Sequence, residues 1–228
     1  MKQTDEGIFL HRTAFSDSSL IVTYYTNNSG LRKFVFKGGK KKAHQLFPLS
    51  LSELTYYGRK ESELLQLTNC DVAISTDFQF DPIKSTIAFF IAECIRKCIY
   101  ENDSDSGMFT FLKQSIIKLN DQEEDIAIYP IQFLVEFAEM LGIQPLVEGS
   151  ESVFDLDEGT ISDAAHPGHR SSRGEHILLI AEAVKGGAIS ANKKLRDQAL
   201  KTMMEYYTIH IPRLNQFETY PIVKEILS

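Results

Sequence analysis

The stretch GIFLHRTAFSDSSLIVTYYTNNSGLRKFVFKGGKKKAHQLFPLSLSELTYYGRKESELLQLTNCDV, Gly7 to Val72, decides the fold. Across it and its flanks, runs rich in Ile, Val, Phe, Tyr and Thr alternate with turn formers. The runs are EGIFLHRTAF, SSLIVTYYT, LRKFVFK, LFPLSLSELTYY and ELLQLTNCDVAIS; Ser/Asp, Asn-Asn-Ser-Gly, Gly-Gly-Lys and Gly-Arg-Lys clusters separate them. Five strands are therefore predicted. In the third, Phe34 and Phe36 take one face and Lys33, Val35 and Lys37 the other, as a two-residue period requires. Five closely spaced antiparallel strands close most economically into a small barrel, the oligonucleotide-binding (OB) fold.

Beyond Asp77 the spacing turns helical. Asp81 followed by Pro82 reads as an N-cap with proline in the first turn, and Ile83, Ile87, Phe90, Ile91, Cys94, Ile95 and Cys98 recur at three- and four-residue steps. Further helices are predicted from about Ser106 to Leu119, from Pro130 to a stop at Gly142, over 174–185, from Lys194 to His210 and over 221–227. The span Gln144–Arg173 reads as a long loop. The expected class is α+β: an N-terminal five-stranded antiparallel OB-fold β-barrel over residues 1–78, then an all-α helical domain over 79–228 carrying the 144–173 loop.

Charge is distributed unevenly along this frame. The 228 residues sum to −7, yet residues 31–60 hold Arg32, Lys33, Lys37, Lys40, Lys41, Lys42, Arg59 and Lys60 against one acid, Glu53. Residues 81–160 carry 16 acids against five Lys/Arg. A dispersed excess would keep the chain soluble equally well, so the basic segment is read as a binding surface. Nucleic acid needs cations that neutralise phosphate and aromatic faces on which unpaired bases stack. Arg32, Lys33, Lys37, Lys40, Lys41, Lys42, His44, Arg59 and Lys60 are the candidate DNA contacts, around a Gly38-Gly39 pair read as keeping the backbone flexible. Tyr56 and Tyr57 lie beside them, while Phe34, Phe36 and Phe47 are assigned to the barrel core. Lys193, Lys194, Arg196 and Lys201 form a second basic group, read as a solvated helix face. No amphipathic anchor neighbours the lysines, so a lipid surface is not favoured, and with no leader or apolar run of spanning length the chain is expected to be cytoplasmic.

The order of these features, a leading strand, a polar turn, Thr26 to Gly30-Leu31, basic residues around Gly-Gly, a Pro48-containing strand and a Leu-rich close, resembles the N-terminal domain of the RecO family of bacterial DNA repair and recombination mediators. What the resemblance implies is binding to single- and double-stranded DNA and annealing of complementary strands. It also implies partnership with RecR and with the C-terminal tail of single-stranded DNA-binding protein, and loading of RecA at the nucleoid. The tail would need an apolar groove with a cationic rim, for which Lys113 and Lys118, or Lys193, Lys194 and Arg196, are the alternatives. An OB-fold RNA-binding or protein-interaction module with no recombination role is the competing assignment.

Many members of that family carry a four-cysteine zinc site in the region matching Phe154–His176. Here Cys70, Cys94 and Cys98 are the chain's cysteines, with no C-x-x-C, so a thiolate site cannot be built and neither metal nor cofactor is expected. His166, His169 and His176, with Asp163 and Glu175 nearby, read as a histidine-containing loop in preference to a divalent-metal site, and Arg170 and Arg173 as secondary phosphate contacts. Cys94 and Cys98 fall on the apolar stripe of the first helix and read as core. No G-x-S-x-G, H-E-x-x-H or G-x-x-x-x-G-K-[ST] occurs, and the acid groups Asp121/Glu123/Glu124/Asp125 and Asp155/Asp157/Glu158 read as solvated connections in preference to metal-dependent nuclease carboxylates for strand hydrolysis. An enzyme is not expected.

Overall fold

Strands β1 (Lys2–Ala14), β2 (Leu20–Thr26), β3 (Gly30–Phe36), β4 (Leu51–Tyr57) and β5 (Leu64–Ile74) form a closed, OB-fold-like barrel in the order β1-β2-β3-β5-β4. The structure is a computed structural model and describes residues 2–59, 62–74, 76–101, 103–122, 125–149 and 152–227. Four of the strand pairs are antiparallel, but β3 and β5 run parallel, Lys33 opposite Leu64 and Phe36 opposite Leu67. This corrects the all-antiparallel expectation, and the reason is parity. Strand direction must reverse at every antiparallel pair, so a ring with an odd number of strands closes only if one pair is parallel.

The barrel interior follows from the two-residue period. Phe9, Leu20, Val22, Tyr24, Phe34, Phe36, Leu54, Tyr56, Leu65 and Leu67 are buried in one cluster. Edge-to-face contacts run Phe9–Tyr24 (5.3 Å), Tyr24–Phe34 (6.0 Å) and Phe34–Tyr56 (5.1 Å), the offset geometry that aromatic quadrupoles favour. Helix α1 (Pro82–Cys98) packs on β1. Its start is fixed by Asp81, whose carboxylate accepts hydrogen bonds from the amides of Ile83 (2.8 Å) and Lys84 (3.1 Å). Helix α2 (Ser106–Asp121) is capped in the same way by Asp105, which accepts from Gly107 and Met108. Cys94 and Cys98 are buried in α1; burial raises both thiols, Cys98 to about 12, so they stay protonated and pack as small apolar groups.

By its internal contacts the chain divides into two compact units, Met1–Asp121 and Gln122–Ser228. Strands give way to helices near residue 78 as expected, while α1 and α2 group with the barrel. The second unit holds α3 (Tyr129–Met140), α4 (Glu175–Val184), α5 (Lys193–His210) and α6 (Tyr220–Ile226). It also holds a small sheet where a loop was expected: β6 (Leu146–Val147), β7 (Val153–Asp155), β8 (Thr160–Ser162) and β9 (Ser171–Arg173), in the order β6-β8-β7-β9. Strands of two or three residues are too short to show a period, and all three residues of β7 are buried, so alternation has nothing to reveal. The sheet is held to α5 by Phe154 against Tyr206 (5.0 Å between ring centroids) and by a hydrogen bond between His210 Nε2 and the Leu156 carbonyl (2.8 Å). No described helix is long and apolar enough to cross a membrane.

Candidate nucleic-acid interface

The lysine run is held as a turn by backbone geometry and hydrogen bonds. β3 ends at Phe36; Gly38 then adopts φ 70°, a left-handed conformation that costs a side-chain-bearing residue about 1–2 kcal/mol. Gly39 lies so close to the Phe36 ring that a β-carbon there would sit 2.9 Å from Cδ1. Gly38 is therefore favoured by its backbone angle and Gly39 by its approach to the Phe36 ring. Residues Gly39–Gln45 wind into a 3-10 helix, where residues three apart eclipse, so Lys41 and His44 project together and both are exposed. Long-range bonds fix the turn. Arg12 Nη1 donates to the Ala43 carbonyl (2.5 Å), and the Lys40 amide donates to the Ser18 carbonyl (3.3 Å).

The candidate cations fall into two sets. Lys37, Lys40, Lys41 and His44 are exposed at the end of β3, and among the described residues none of the three lysines makes an ion pair. Lys42 is drawn back: its ammonium donates to Asn69 Oδ1 (3.1 Å) and stands 5.9 Å from the centre of the Phe36 ring, a cation–π geometry. Arg32, Lys33 and Arg59 lie instead toward the start of β3. Arg32 is only 5% exposed and donates from Nη2 to the Ser62 carbonyl (2.8 Å), so its guanidinium braces the β4–β5 connection. Lys33 is ion-paired with Glu101, and Arg59 is exposed. Lys60 lies outside the described residues.

Beside the lysine turn opens a groove of about 430 Å³ lined by His44, Gln45, Phe47, Ser50, Val72, Ile74 and Thr76. Phe34 and Phe36 are core, as expected, whereas Phe47 is half-buried in the groove wall and meets the exposed Phe89 of α1 edge-on at 5.7 Å. A cationic turn bordering an apolar-walled groove combines phosphate neutralisation with surfaces on which bases can stack. Sequence reading missed Arg12, Asn69, Phe89 and Val72, because each joins the site through contacts distant in sequence. Arg32 was legible: it shares the parity of Phe34 and Phe36, and so points inward.

The remaining candidates are divided between side chains engaged within the chain and exposed ones. Lys113 pairs with Glu6 at 2.8 Å, and Arg196 donates to the carbonyls of Ala191 (2.8 Å) and Leu227 (3.0 Å), while Lys193, Lys194 and Lys201 are exposed. Arg170 pairs with Asp157, and Arg173 is exposed on β9. His176 is buried and bonds Ser172 Oγ (2.9 Å), apart from His166 and His169. Those two instead face Asp155. Burial works against the charged form of that carboxylate, but the amides of His166 and Glu158 and the His169 ring hold it down at about 2. Of the acid groups weighed for hydrolysis, Glu123 and Glu124 lie outside the described residues, and Asp155 and Asp157 are each engaged in organising the loop.

Comparison with known proteins bears on both units. The family model described as Recombination protein O N terminal matches residues 1–75, and that described as Recombination protein O C terminal matches residues 79–216. The DNA repair protein RecO of Bacteroides fragilis is 26% identical over 242 residues, that of Flavobacterium psychrophilum 26% over 245, and that of Phocaeicola vulgatus 27% over 247, each alignment covering 100% of both chains.

Proposed function

We propose a DNA-handling role, on the premise that the chain belongs to the recombination protein O (RecO) family of DNA repair proteins. In this role it binds single- and double-stranded DNA in the cytoplasm without reading sequence, anneals complementary strands, and works with RecR and single-stranded DNA-binding protein to load RecA. No covalent bond is made or broken. The observation that carries the reading is the turn that presents Lys37, Lys40 and Lys41 without ion-pair partners among the described residues, beside the Phe47–Val72 groove.

The physical tasks suit that surface. Each lysine–phosphate contact contributes modestly through counterion release, so a strand is held firmly in sum yet is exchanged one contact at a time. Two strands drawn to one cationic turn repel each other less, which favours annealing. The apolar groove wall accepts bases without selecting among them.

The test is simultaneous replacement of Lys37, Lys40 and Lys41 by Glu. Losing three phosphate contacts lowers the slope of log affinity against log salt by about 2 for single strands and reduces affinity roughly a hundred-fold at about 0.1 M salt. Annealing of complementary oligonucleotides should slow in parallel, with thermal unfolding unchanged. Binding and annealing at wild-type levels in that variant overturn the reading. Tight RNA binding without DNA annealing in the wild type would transfer it to an RNA module, and Mg²⁺-dependent strand cleavage would contradict a non-enzymatic role.

A further inference from the structure

We propose that Asp155, His166 and His169 form a binding site for a divalent transition metal of the zinc class, using one carboxylate and two imidazoles. The inference is independent of the DNA role, because it concerns side chains in the second unit only.

Two turns build the site. After β7 the chain reverses with the Gly159 amide donating to the Asp155 carbonyl (2.9 Å), while the amides of Asp157 (3.2 Å) and Glu158 (3.1 Å) donate to Asp155 Oδ1. The second turn is His166-Pro167-Gly168-His169, closed by the His169 amide on the His166 carbonyl (3.1 Å), with Gly168 at φ 87°. Residues three apart across such a turn project to one side, so both imidazoles face Asp155. The turns are tied together by the Leu156 amide on the Arg170 carbonyl (2.9 Å), the His166 amide on Asp155 Oδ2 (2.9 Å) and the Arg170–Asp157 pair.

The ligand atoms are already gathered. Asp155 Oδ2 stands 2.9 Å from His169 Nδ1 and 3.6 Å from His166 Nδ1, and the three ligand atoms lie within 4.8 Å of one another. A tetrahedral zinc with ligands at about 2.1 Å sets them roughly 3.4 Å apart, so modest rotation of the imidazoles completes three corners and solvent supplies the fourth. Asp155 is 1% exposed and pinned by three backbone amides, which fixes the first ligand before a metal arrives. His166 is largely exposed and gives the ion a path inward. Two nitrogens with one oxygen suit zinc, cobalt or nickel and disfavour magnesium and calcium, which demand mostly oxygen donors. The thiolate site that the family resemblance implies does not fit these residues; the donor set here is different in kind. The bound ion would clasp the 155–159 turn to the 166–169 turn.

The test uses the full-length, tag-free chain, stripped with a chelator and dialysed. Titration with Zn²⁺ by calorimetry should show one equivalent bound. Co²⁺ should give visible absorption of tetrahedral intensity that Zn²⁺ abolishes. His169→Gln should weaken binding by at least about tenfold, a minimum set by the 10–100-fold loss usual for a supporting group, whereas His44→Gln should leave it unchanged. Should His169→Gln disturb the fold, NMR of the wild type decides: Co²⁺ should perturb the His166 and His169 ring resonances first. Binding well below one equivalent, affinity unchanged in a folded His169→Gln, or perturbation confined to other histidines overturns the proposal.

Discussion

The turn Gly39–Gln45 and the paired turns over 155–170 look alike in sequence, both polar and densely charged, yet they handle charge in opposite ways. In the first, Lys40 and Lys41, with Lys37 just before the turn, project with no ion-pair partner among the described residues. In the second, Asp157 holds Arg170, and Asp155 takes three backbone amides and an imidazole. The first leaves its charge without an ion-pair partner among the described residues, as the proposed DNA role needs; the second uses charge to hold itself together and admits at most something the size of an ion. Charge density does not separate a binding surface from a structural loop. The location of the counter-charge does.

The sharpest way to break this comparison is to reverse the sign of each segment separately. Lys37/Lys40/Lys41→Glu should lose roughly a hundred-fold in affinity for single strands with little change in stability, since these three side chains make no ion pair among the described residues. Arg170→Glu should do the opposite, lowering the unfolding temperature of the second unit while DNA affinity stays within about twofold, as expected for a side chain whose charge is paired within its own loop. If both variants lose DNA binding and neither loses stability, the two loops do not differ in kind.

A second contrast lies inside the basic segment. Arg32 belongs to the fold and not to the surface, so Arg32→Ala should cost about 2 kcal/mol by leaving the Ser62 carbonyl without its charged donor. Equilibrium denaturation would measure this, and the salt slope of DNA binding should not move. A reduced slope would return Arg32 to the DNA track.

How much of this was legible in the sequence depends on the range of the interaction. The five strands and the start of α1 are written locally, in the alternation of Phe34 and Phe36 with Lys33 and Lys37 and in Asp81-Pro82, and the structure has both. The candidate lysines were legible as a cluster, and the alternation contained the inward placement of Arg32 as well. Three things were not local. The parallel β3–β5 pairing follows from closing an odd ring, the β6–β9 sheet from three-dimensional pairing of fragments too short to have a period, and the bracing of the lysine turn by Arg12 from a contact 31 residues away.

Asp155 sharpens the comparison through pH. Its carboxyl titrates near 2 in the fold against 3.8 ordinarily, because hydrogen bonds to the charged form outweigh burial. A depressed carboxyl contributes stability that is fully present above the unfolded value and is lost as pH falls through the folded one. With chelator present, the stability gap between wild type and Asp155→Asn should narrow between about pH 4 and 2. A gap that does not change with pH would mean that the Asp155 charge does not hold the turns.

The smallest expected effect lies at Lys33, which stands between the two regimes. It is a surface cation with a partner, Glu101, and both side chains are nearly half exposed, so the pair contributes at most about 1 kcal/mol and less as salt rises. Glu101→Gln should barely alter the unfolding temperature. It also removes one negative charge and releases one ammonium at the start of β3. If DNA runs along the whole strand from Arg59 to the lysine turn, the released ammonium adds a phosphate contact, and the salt slope steepens by about 0.7 with a several-fold gain at about 0.1 M salt. If the track is confined to the turn, the slope stays as it was. A steeper slope would extend the interface to both ends of β3 and make Glu101 the residue that limits it; an unchanged one would place every exchangeable contact at the end where Lys37, Lys40 and Lys41 make no ion pair among the described residues.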